Sequence, residues 1–389
     1  MPKAPFRIAI PDEALDRIRR RVADFPWDAM PASEDWRMGT PRAFLRDLAA
    51  HWLERFDWRE AEARLNALPQ YTSPIAAGGE RLRLHFVMEE GSGSAPRPLL
   101  LLHGWPGTFF EFSRLVEPLA HPERHGGREK DAFTVIVPSL PGYGFSSAPG
   151  APMGPRRMAQ AIDALLARLG QAGVIAHGGD WGSMIAGWLA FEGRNVDAAH
   201  ITMAGWRAPG VSLETDEERA WGARMHANLE REGGYLRQQA TRPHTLGYAM
   251  TDSPVGVAAW ILEKYHAWSD VGGRRLDEHF SRDDLLTTVM IYLVTGTFVT
   301  STWTYFGWAE ERAAPLPRGA RIERPVALAG FPGDSVYPLP PRSHAERHYE
   351  NIAQWTDMPH GGHFAALDAG DLLVEDLRRF ARTLGGREG

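Results

Sequence analysis

A small acid between glycines is the first feature of the chain with chemical meaning. Asp180 lies in the segment His-Gly-Gly-Asp-Trp-Gly-Ser, with Gly178 two residues before it and Gly182 two residues after it. This spacing is typical of a sharp strand-to-helix turn that presents a nucleophile, where most proteins place a serine. The apolar runs 173–176 and 184–190 predict that strand and that helix. Taken alone, such an acid would more often be a helix N-cap. A catalytic role therefore has to be supported by other residues that could act with it.

Two downstream residues complete an order of nucleophile, acid and histidine. Asp334 follows the apolar segment 325–331, and His363 stands just before the last predicted helix. Both would project from the carboxyl ends of strands, where sheets of alternating strands and helices place their sites. Asp357 and Asp368 compete for the place of the acid, and the position directly after a strand favours Asp334.

A second motif, His-Gly-Trp-Pro-Gly-Thr at 103–108, ends another apolar strand. In this architecture one backbone N–H for a developing oxyanion comes from the residue after the nucleophile, and another comes from such an earlier loop. These would be the amides of Trp181 and Trp105. Pro106 restricts Trp105 to extended conformations or allows a cis bond. His103 is expected to brace the loop rather than to react.

Together these motifs resemble one family. The motif H-G-W-P-G, which contains Gly104, and the motif G-G-D-W-G, together with the segment 138–146, are similar to the epoxide hydrolases of the α/β-hydrolase superfamily. The resemblance covers nearly the whole chain and narrows to the microsomal-type branch, which includes juvenile-hormone epoxide hydrolases and soluble microbial enzymes. The narrower resemblance is carried by a helical N-terminal extension and by three segments, 245–265, 290–297 and 361–368.

The resemblance implies a role for each residue of the site. Asp180 would be the nucleophile, His363 the general base and Asp334 its acidic partner. Two tyrosines, Tyr235 and Tyr305, would donate protons to the epoxide oxygen. No metal and no organic cofactor is implied, and the partners would be a small apolar epoxide and water.

An epoxide explains why the nucleophile is a carboxylate. The electrophile is a strained ring carbon, and a carboxylate that displaces the ring oxygen forms an ester, which water can hydrolyse. A serine at the same place would form an ether, which has no carbonyl for water to attack. A tyrosine has an ordinary pKa of about 10, so it stays protonated at neutral pH and can donate to the departing alkoxide.

Two other functions remain open at the level of sequence. A haloalkane or haloacid dehalogenase also uses an aspartate nucleophile and a water-activating histidine, but halide departs without a proton, so the tyrosine pair argues against it. A non-catalytic binding protein of the same fold is the second alternative, although such proteins commonly lose a member of the triad and none is missing here. A serine esterase is disfavoured by Asp180 itself.

The pattern of elements predicts an α/β fold of the α/β-hydrolase type, that is, a mostly parallel central sheet flanked by helices. Short apolar strands alternate with helical patterns from residue 98 onward, which favours a parallel sheet covered on both faces. The expected division is a helical N-terminal extension over 1–90, a core over 91–205 and 321–389, and an inserted helical cap over 206–320.

Composition excludes several classes of function. The 389 residues carry a net charge of -6 and no cysteine, which argues against a nucleic-acid surface and removes disulfides, thiolate catalysis and Cys-ligated metals. Histidine pairs such as His344 and His348 lack the H-E-x-x-H order of zinc proteases, so no metal site is expected. The sequence has neither an apolar run of about 18 residues nor a signal-peptide core, so we expect a cytoplasmic protein without a membrane anchor. A homodimer is compatible with the sequence but is not indicated by it.

Overall fold

A twisted sheet of nine strands lies at the centre of the described residues, which in this computed structural model are 2–204, 211–311 and 319–385. The strands are β1 Ala4–Pro5, β2 Gln70–Ala77, β3 Glu80–Glu89, β4 Arg97–Leu102, β5 Phe133–Pro138, β6 Val174–Gly178, β7 Val196–Ile201, β8 Val326–Gly330 and β9 Ile352–Asp357. Their order in the sheet is β1-β2-β3-β5-β4-β6-β7-β8-β9. The six strands β5, β4, β6, β7, β8 and β9 pair in parallel with their neighbours in this order. The strands β1, β2 and β3 extend the sheet beyond β5 in antiparallel pairs. The mostly parallel sheet predicted from the sequence is confirmed.

Helices flank this sheet and precede it. The N-terminal helices are α1 Asp12–Ala23, α2 Arg42–Glu54 and α3 Trp58–Asn66. Those between the central strands are α4 Val116–Ala120, α5 Pro155–Leu169 and α6 Asp180–Glu192. A helical block between β7 and β8 contains α7 Asp216–Glu232, α8 Gly234–Thr241, α9 Pro243–Asp252, α10 Pro254–Trp268, α11 Leu276–His279, α12 Arg282–Thr295 and α13 Phe298–Glu311. The chain continues after β8 with α14 Arg342–Ala345, α15 Ala365–Asp368 and α16 Gly370–Gly385.

Burial explains where strand prediction from the sequence worked. All four residues of Leu99–Leu102 in β4 have no exposed surface, as expected for a central parallel strand covered on both faces. In β3 buried and exposed residues alternate only near Leu82, because the residues from Leu84 to Met88 are all buried. There β3 lies between β2 and β5 and is covered on both faces. The predicted boundary at residues 205 and 206 lies outside the described residues.

Two strands carry no clear sequence signal. β2 contains Pro74, a residue that normally argues against a strand because it lacks an N–H. Pro74 is tolerated because the neighbouring strand β1 pairs only with Tyr71 and Thr72, so the sheet needs no donor from Pro74 on that side. β9 forms the far edge of the sheet and is only partly buried, so its apolar pattern is weak.

Within the described parts of the chain, no single helix is long and apolar enough to cross a membrane. Only together do α12 and α13 have the length and apolar composition of a membrane span, and the two helices meet at an angle of 88°.

A buried polar chain lies beneath the end of β6. His177 in β6 faces His200 in β7 with the two Nδ1 atoms 3.0 Å apart, and His200 Nε2 is 2.9 Å from Asp376 Oδ2 in α16. Burial would raise the pKa of Asp376, but hydrogen bonds from His200, Arg379 and Thr356 outweigh it and lower that pKa to about 2. The Asp376 carboxylate therefore ties the last helix to β7 and, through the histidine pair, to β6, the strand that precedes Asp180.

Replacing Asp376 by asparagine tests this tie. Asp376→Asn leaves a buried network with a broken ion pair, so we expect the free energy of unfolding at pH 7 to fall by roughly 3 kcal/mol. Because the native pKa of Asp376 is depressed, its contribution is present above the unfolded pKa of about 4 and is lost as the pH falls towards 2. Urea denaturation measures both effects. Asp371→Asn on the same helix removes an exposed carboxylate and should change stability by less than about 0.5 kcal/mol. Equal midpoints for Asp376→Asn and the wild type would contradict the assignment.

Candidate active site

The turn from β6 to α6 holds Asp180 in an unusual conformation. Asp180 has a φ of 48°, and among the described residues it is the non-glycine residue with a positive φ. Aspartate tolerates this left-handed region better than most residues, and such outliers concentrate at functional sites. The residue is 9% exposed and stands at the first position of α6.

Close backbone approach explains the glycines around the turn. A Cβ on Gly178 would overlap the backbone of Gly182, and a Cβ on Gly182 would overlap the carbonyl oxygen of Leu102 at the end of β4. A Cβ on Gly104 would overlap the carboxylate of Asp180. The three glycines therefore let the loop after β4 come within hydrogen-bond distance of the acid.

That loop directs a backbone amide at the acid. The N–H of Trp105 donates to Asp180 Oδ1 at 2.8 Å, and the bond between Trp105 and Pro106 is cis. Trp181 follows Asp180 in the first turn of α6, where backbone N–H groups have no acceptor within the helix. Of the two amides that the sequence predicts for an oxyanion, that of Trp105 contacts the Asp180 carboxylate, and that of Trp181 belongs to the next residue along the chain.

His103 lies beneath the same loop, and both hydrogen bonds of its ring are to backbone groups. Its Nδ1 donates to the carbonyl of Gly104 at 2.9 Å, and its Nε2 accepts from the N–H of Leu140 at 3.2 Å. Burial lowers the pKa of His103 to about 4, so the ring is neutral at physiological pH. These contacts hold the loop in place.

A histidine joins two carboxylates across the carboxyl ends of the strands. His363 Nδ1 is 2.9 Å from Asp334 Oδ2, and His363 Nε2 is 3.4 Å from Asp180 Oδ2. Asp334 follows β8, and its other oxygen accepts the backbone N–H groups of Val336 at 3.1 Å and Tyr337 at 2.9 Å. The loop backbone thereby orients the Asp334 carboxylate towards the imidazole.

The two competing acids lie elsewhere. Asp368 Oδ1 contacts His279 Nε2 at 2.6 Å, and its Oδ2 accepts the backbone N–H of Gly362. Asp357 is exposed at the end of β9 and accepts from the indole of Trp355. Neither has a contact with the His363 ring, which the structure places against Asp334.

The charges around His363 determine its protonation. Burial alone would lower the pKa of His363, but the carboxylates of Asp334 and Asp180 outweigh this effect and raise it to about 10. At neutral pH the resting site therefore holds an imidazolium between two carboxylates. Loss of the charge on Asp180 would remove part of the stabilisation of that imidazolium.

Two tyrosines from the helical block lie over the acid. Tyr235 in α8 stacks on Trp105 with ring centroids 5.3 Å apart, and Tyr305 in α13 meets Trp181 edge to face at 4.7 Å. The two tyrosine rings are 5.7 Å apart and both are buried. Burial raises the pKa of both phenols well above the usual value, so both remain protonated.

The helical block is also bonded to the loops that carry the triad. The backbone N–H of His363 donates to the carbonyl of Trp268 at 2.9 Å, and Ser335 Oγ donates to the carbonyl of Ala267 at 3.0 Å. The N–H of Gly361 donates to Asp270 Oδ2 at 3.0 Å. The end of α10 and the residues after it therefore contact both loops.

One titratable group near the site, Glu111, was not predicted from the sequence. Glu111 is buried in a 3₁₀ turn, Phe109–Phe112, directly after the loop that carries Trp105. A charged residue inside the run Phe-Phe-Glu-Phe was the available signal, since acids are rarely buried without a reason. Within the described ranges, no three histidine, aspartate or glutamate side chains converge as a metal-ligand set.

Comparison with known proteins shows the family of the chain. Residues 3–112 match the model of the epoxide hydrolase N terminus, and residues 97–245 match the model of the alpha/beta hydrolase fold. Epoxide hydrolase 1 of Sus scrofa is 33% identical to the chain over 97% of it and 88% of the pig protein. The chain belongs to the epoxide hydrolase family. The predicted family resemblance is confirmed.

Two further relatives support the assignment to the epoxide hydrolases. Juvenile hormone epoxide hydrolase 2 of Ctenocephalides felis is 33% identical over 96% of the chain and 84% of its own length. The solved structure of Aspergillus niger epoxide hydrolase superimposes with a TM-score of 0.83 at 32% identity, covering 97% of this chain and 95% of that one. The α/β-hydrolase fold predicted from the sequence is thus confirmed.

The imidazolium between two carboxylates can be tested directly. Asp180→Asn removes one anion and keeps a residue that tolerates positive φ, so we expect the pKa of His363 to fall from about 10 in a folded protein. NMR titration of the imidazole resonances measures this change. Because the native pKa lies above the unfolded value of about 6.5, the associated stability is present below pH 6.5 and lost as the pH rises through 10. Asp371→Asn is the matched control. An unchanged His363 titration in Asp180→Asn would contradict the coupling.

Proposed function

We propose that this epoxide hydrolase opens its substrate through a covalent ester on Asp180. The observation that carries the proposal is a carboxylate, rather than a hydroxyl, at the positive-φ turn, with His363 on one side and two protonated tyrosines above it. The helical block 211–311 would act as the cap of the site, since it supplies both tyrosines. The aromatic rings around Asp180 favour a small apolar epoxide as the substrate.

In the first step a carboxylate oxygen of Asp180 attacks a ring carbon of the epoxide, and the bond from that carbon to the ring oxygen breaks. The departing alkoxide takes a proton from Tyr235 or Tyr305, whose phenols are protonated because they are buried. The product is an alkyl ester of Asp180 with a hydroxyl on the neighbouring carbon.

Ester formation also prepares the base. It removes the negative charge of Asp180, and the pKa of His363 falls because that charge had helped to raise it. His363 then loses one proton, and the tyrosinate takes up one proton, so the charge of the site is balanced. The neutral imidazole, held by Asp334, is ready to activate water.

In the second step water attacks the ester carbonyl and His363 Nε2 takes its proton. The oxyanion is stabilised by the amides of Trp105 and Trp181, a contact worth about 3 kcal/mol in comparable sites. Collapse breaks the ester bond and releases the vicinal diol. The proton balance restores the Asp180 carboxylate and the His363 imidazolium.

One feature favours a second candidate, dehalogenation of a haloalkane on the same nucleophile. The indole N–H of Trp105 is buried and has no acceptor among the described residues, which is the type of donor that binds halide. The tyrosine pair favours the epoxide, because an alkoxide needs a proton and a halide does not. Incubation of the wild type with a styrene-type epoxide and with a haloalkane, followed by assays for diol and halide, separates the two functions.

Removal of the nucleophile should abolish turnover. We expect Asp180→Asn to lower diol formation from a styrene-type epoxide by roughly 10⁴-fold or more, because no ester can form. In His363→Gln the ester should form but persist, and intact-protein mass spectrometry should detect a substrate-sized adduct. Asp371→Asn serves as the charge-matched control for the first variant. Wild-type diol formation by Asp180→Asn would refute the covalent mechanism.

The tyrosines should matter only for ring opening. Tyr235→Phe and Tyr305→Phe each remove one proton donor, so we expect ester formation to slow by roughly 10-fold to 100-fold while hydrolysis of the ester is unchanged. Stopped-flow measurement of the two half-reactions distinguishes these effects. Tyr248→Phe, at a residue in α9 that is 82% exposed, is the matched control. A pair of phenylalanine variants with unimpaired ring opening would exclude this role.

A further inference from the structure

Glu111 is a buried carboxyl group that the two-step scheme does not use. It stands in the 3₁₀ turn Phe109–Phe112, whose four residues are all buried. No lysine, arginine or histidine forms an ion pair with it in the parts of the chain that the structure describes. Burying a carboxyl group without a cation is costly, so its position calls for a functional explanation.

The loop around Glu111 fixes the position of its carboxyl group. A Cβ on Gly107 would overlap Glu111 Oε1, so the glycine makes room for the carboxyl group. The phenol of Tyr292 donates to the carbonyl of Gly107 at 2.8 Å and holds that segment, and the backbone N–H of Thr108 interacts with the carboxyl group. The same loop carries Trp105, whose amide contacts the nucleophile.

Glu111 faces the reacting groups. Burial raises the pKa of Glu111, the charge of His363 lowers it and the charge of Asp180 raises it, and together these effects place it at about 8. The phenols of Tyr265 and Tyr292 are also near enough for the Glu111 charge to raise their pKa values. Glu111 is therefore neutral at pH 7, and its carboxyl group offers one acceptor oxygen and one O–H donor.

His363 presents a complementary atom. Its Nε2 is buried and has no well-formed hydrogen bond among the described residues, since the 3.4 Å separation from Asp180 Oδ2 is long. The helix α15, which begins two residues after His363, packs against the 3₁₀ turn that carries Glu111. The base and the buried acid thus border the same space next to Asp180.

We propose that Glu111 is a positioning residue that holds the hydrolytic water between its own carboxyl group and His363 Nε2. This inference rests on the proposed ester mechanism. The acceptor oxygen of Glu111 would take a hydrogen bond from one water hydrogen, while the other hydrogen faces Nε2. The water oxygen then forms its bond to the ester carbonyl carbon of Asp180, and its proton passes to Nε2. The bond between the carbonyl carbon and the alkyl oxygen breaks, and that oxygen leaves as the diol hydroxyl with a proton from His363. The new carboxyl group of Asp180 then gives its proton to His363, which restores the carboxylate and the imidazolium. Glu111 itself neither gains nor loses a proton.

The test separates ester formation from ester hydrolysis by stopped flow with a styrene-type epoxide. Glu111→Met keeps the length of the side chain but removes the acceptor, so we expect hydrolysis to slow by roughly tenfold or more and ester formation to stay within about twofold. Glu111→Gln presents the same acceptor oxygen as a neutral glutamic acid, so it should restore hydrolysis to near the wild-type rate at pH 7. Glu117→Gln, at an exposed acid six residues later, is the matched control and should change neither rate.

A second variant tests position without removing the group. Gly107→Ala places a methyl group where Glu111 Oε1 lies and displaces the carboxyl group, so it should reproduce the hydrolysis defect of Glu111→Met. Thermal unfolding of each variant identifies any that fails to fold. The hydrolysis rates of the folded variants then test the role of Glu111.

The outcomes are distinct. The proposed water site is overturned if Glu111→Met and Gly107→Ala hydrolyse the ester at the wild-type rate, if both half-reactions slow equally, or if Glu111→Gln does not restore hydrolysis. The adduct in His363→Gln is the independent measure of the ester mechanism. If that adduct forms, only the role of Glu111 fails; if it does not form and no diol appears, the proposed function fails together with this inference.

Discussion

The end of β4 and the start of α6 approach each other so closely that neither backbone can carry a side chain at the contact. Gly182 lies against the carbonyl of Leu102, and Gly104 lies against the carboxylate of Asp180. This approach brings the Trp105 amide to 2.8 Å from the acid and requires the positive φ of Asp180. The other parts of the site are arranged around Asp180, which the backbone holds in place. Asp180 cannot move without separating the end of β4 from the start of α6.

Charge is distributed around this fixed acid in an orderly way. Ionised groups, namely two carboxylates and one imidazolium, form a line along the carboxyl ends of the strands. The groups that border this line are neutral at pH 7, because burial raises the pKa of Glu111, Tyr235 and Tyr305 and lowers that of His103. A change in the charge of Asp180 therefore acts directly on the imidazole of His363, whose Nε2 lies 3.4 Å from Asp180 Oδ2.

Motifs with a fixed spacing made the main elements of this site predictable. The turn, the loop after β4 and the positions of Asp334 and His363 after strands follow from backbone rules that hold for any chain of this fold. Glu111 was not predictable in the same way, because only folding packs its 3₁₀ turn against α15, the helix that begins two residues after His363. The strand with Pro74 was missed because its tolerance depends on the shortness of β1, a property of the sheet rather than of the segment.

The bond between the backbone N–H of His363 and the carbonyl of Trp268 has a mechanical consequence. It joins the loop of the base to the end of α10, and the contacts of Ser335 and Gly361 join the same region to both loops. A swing of the whole helical block away from the sheet would therefore break the bond that helps to hold the imidazole in place. Substrate exchange without loss of the base must use movements smaller than the block, and the path to Asp180 is set by individual side chains.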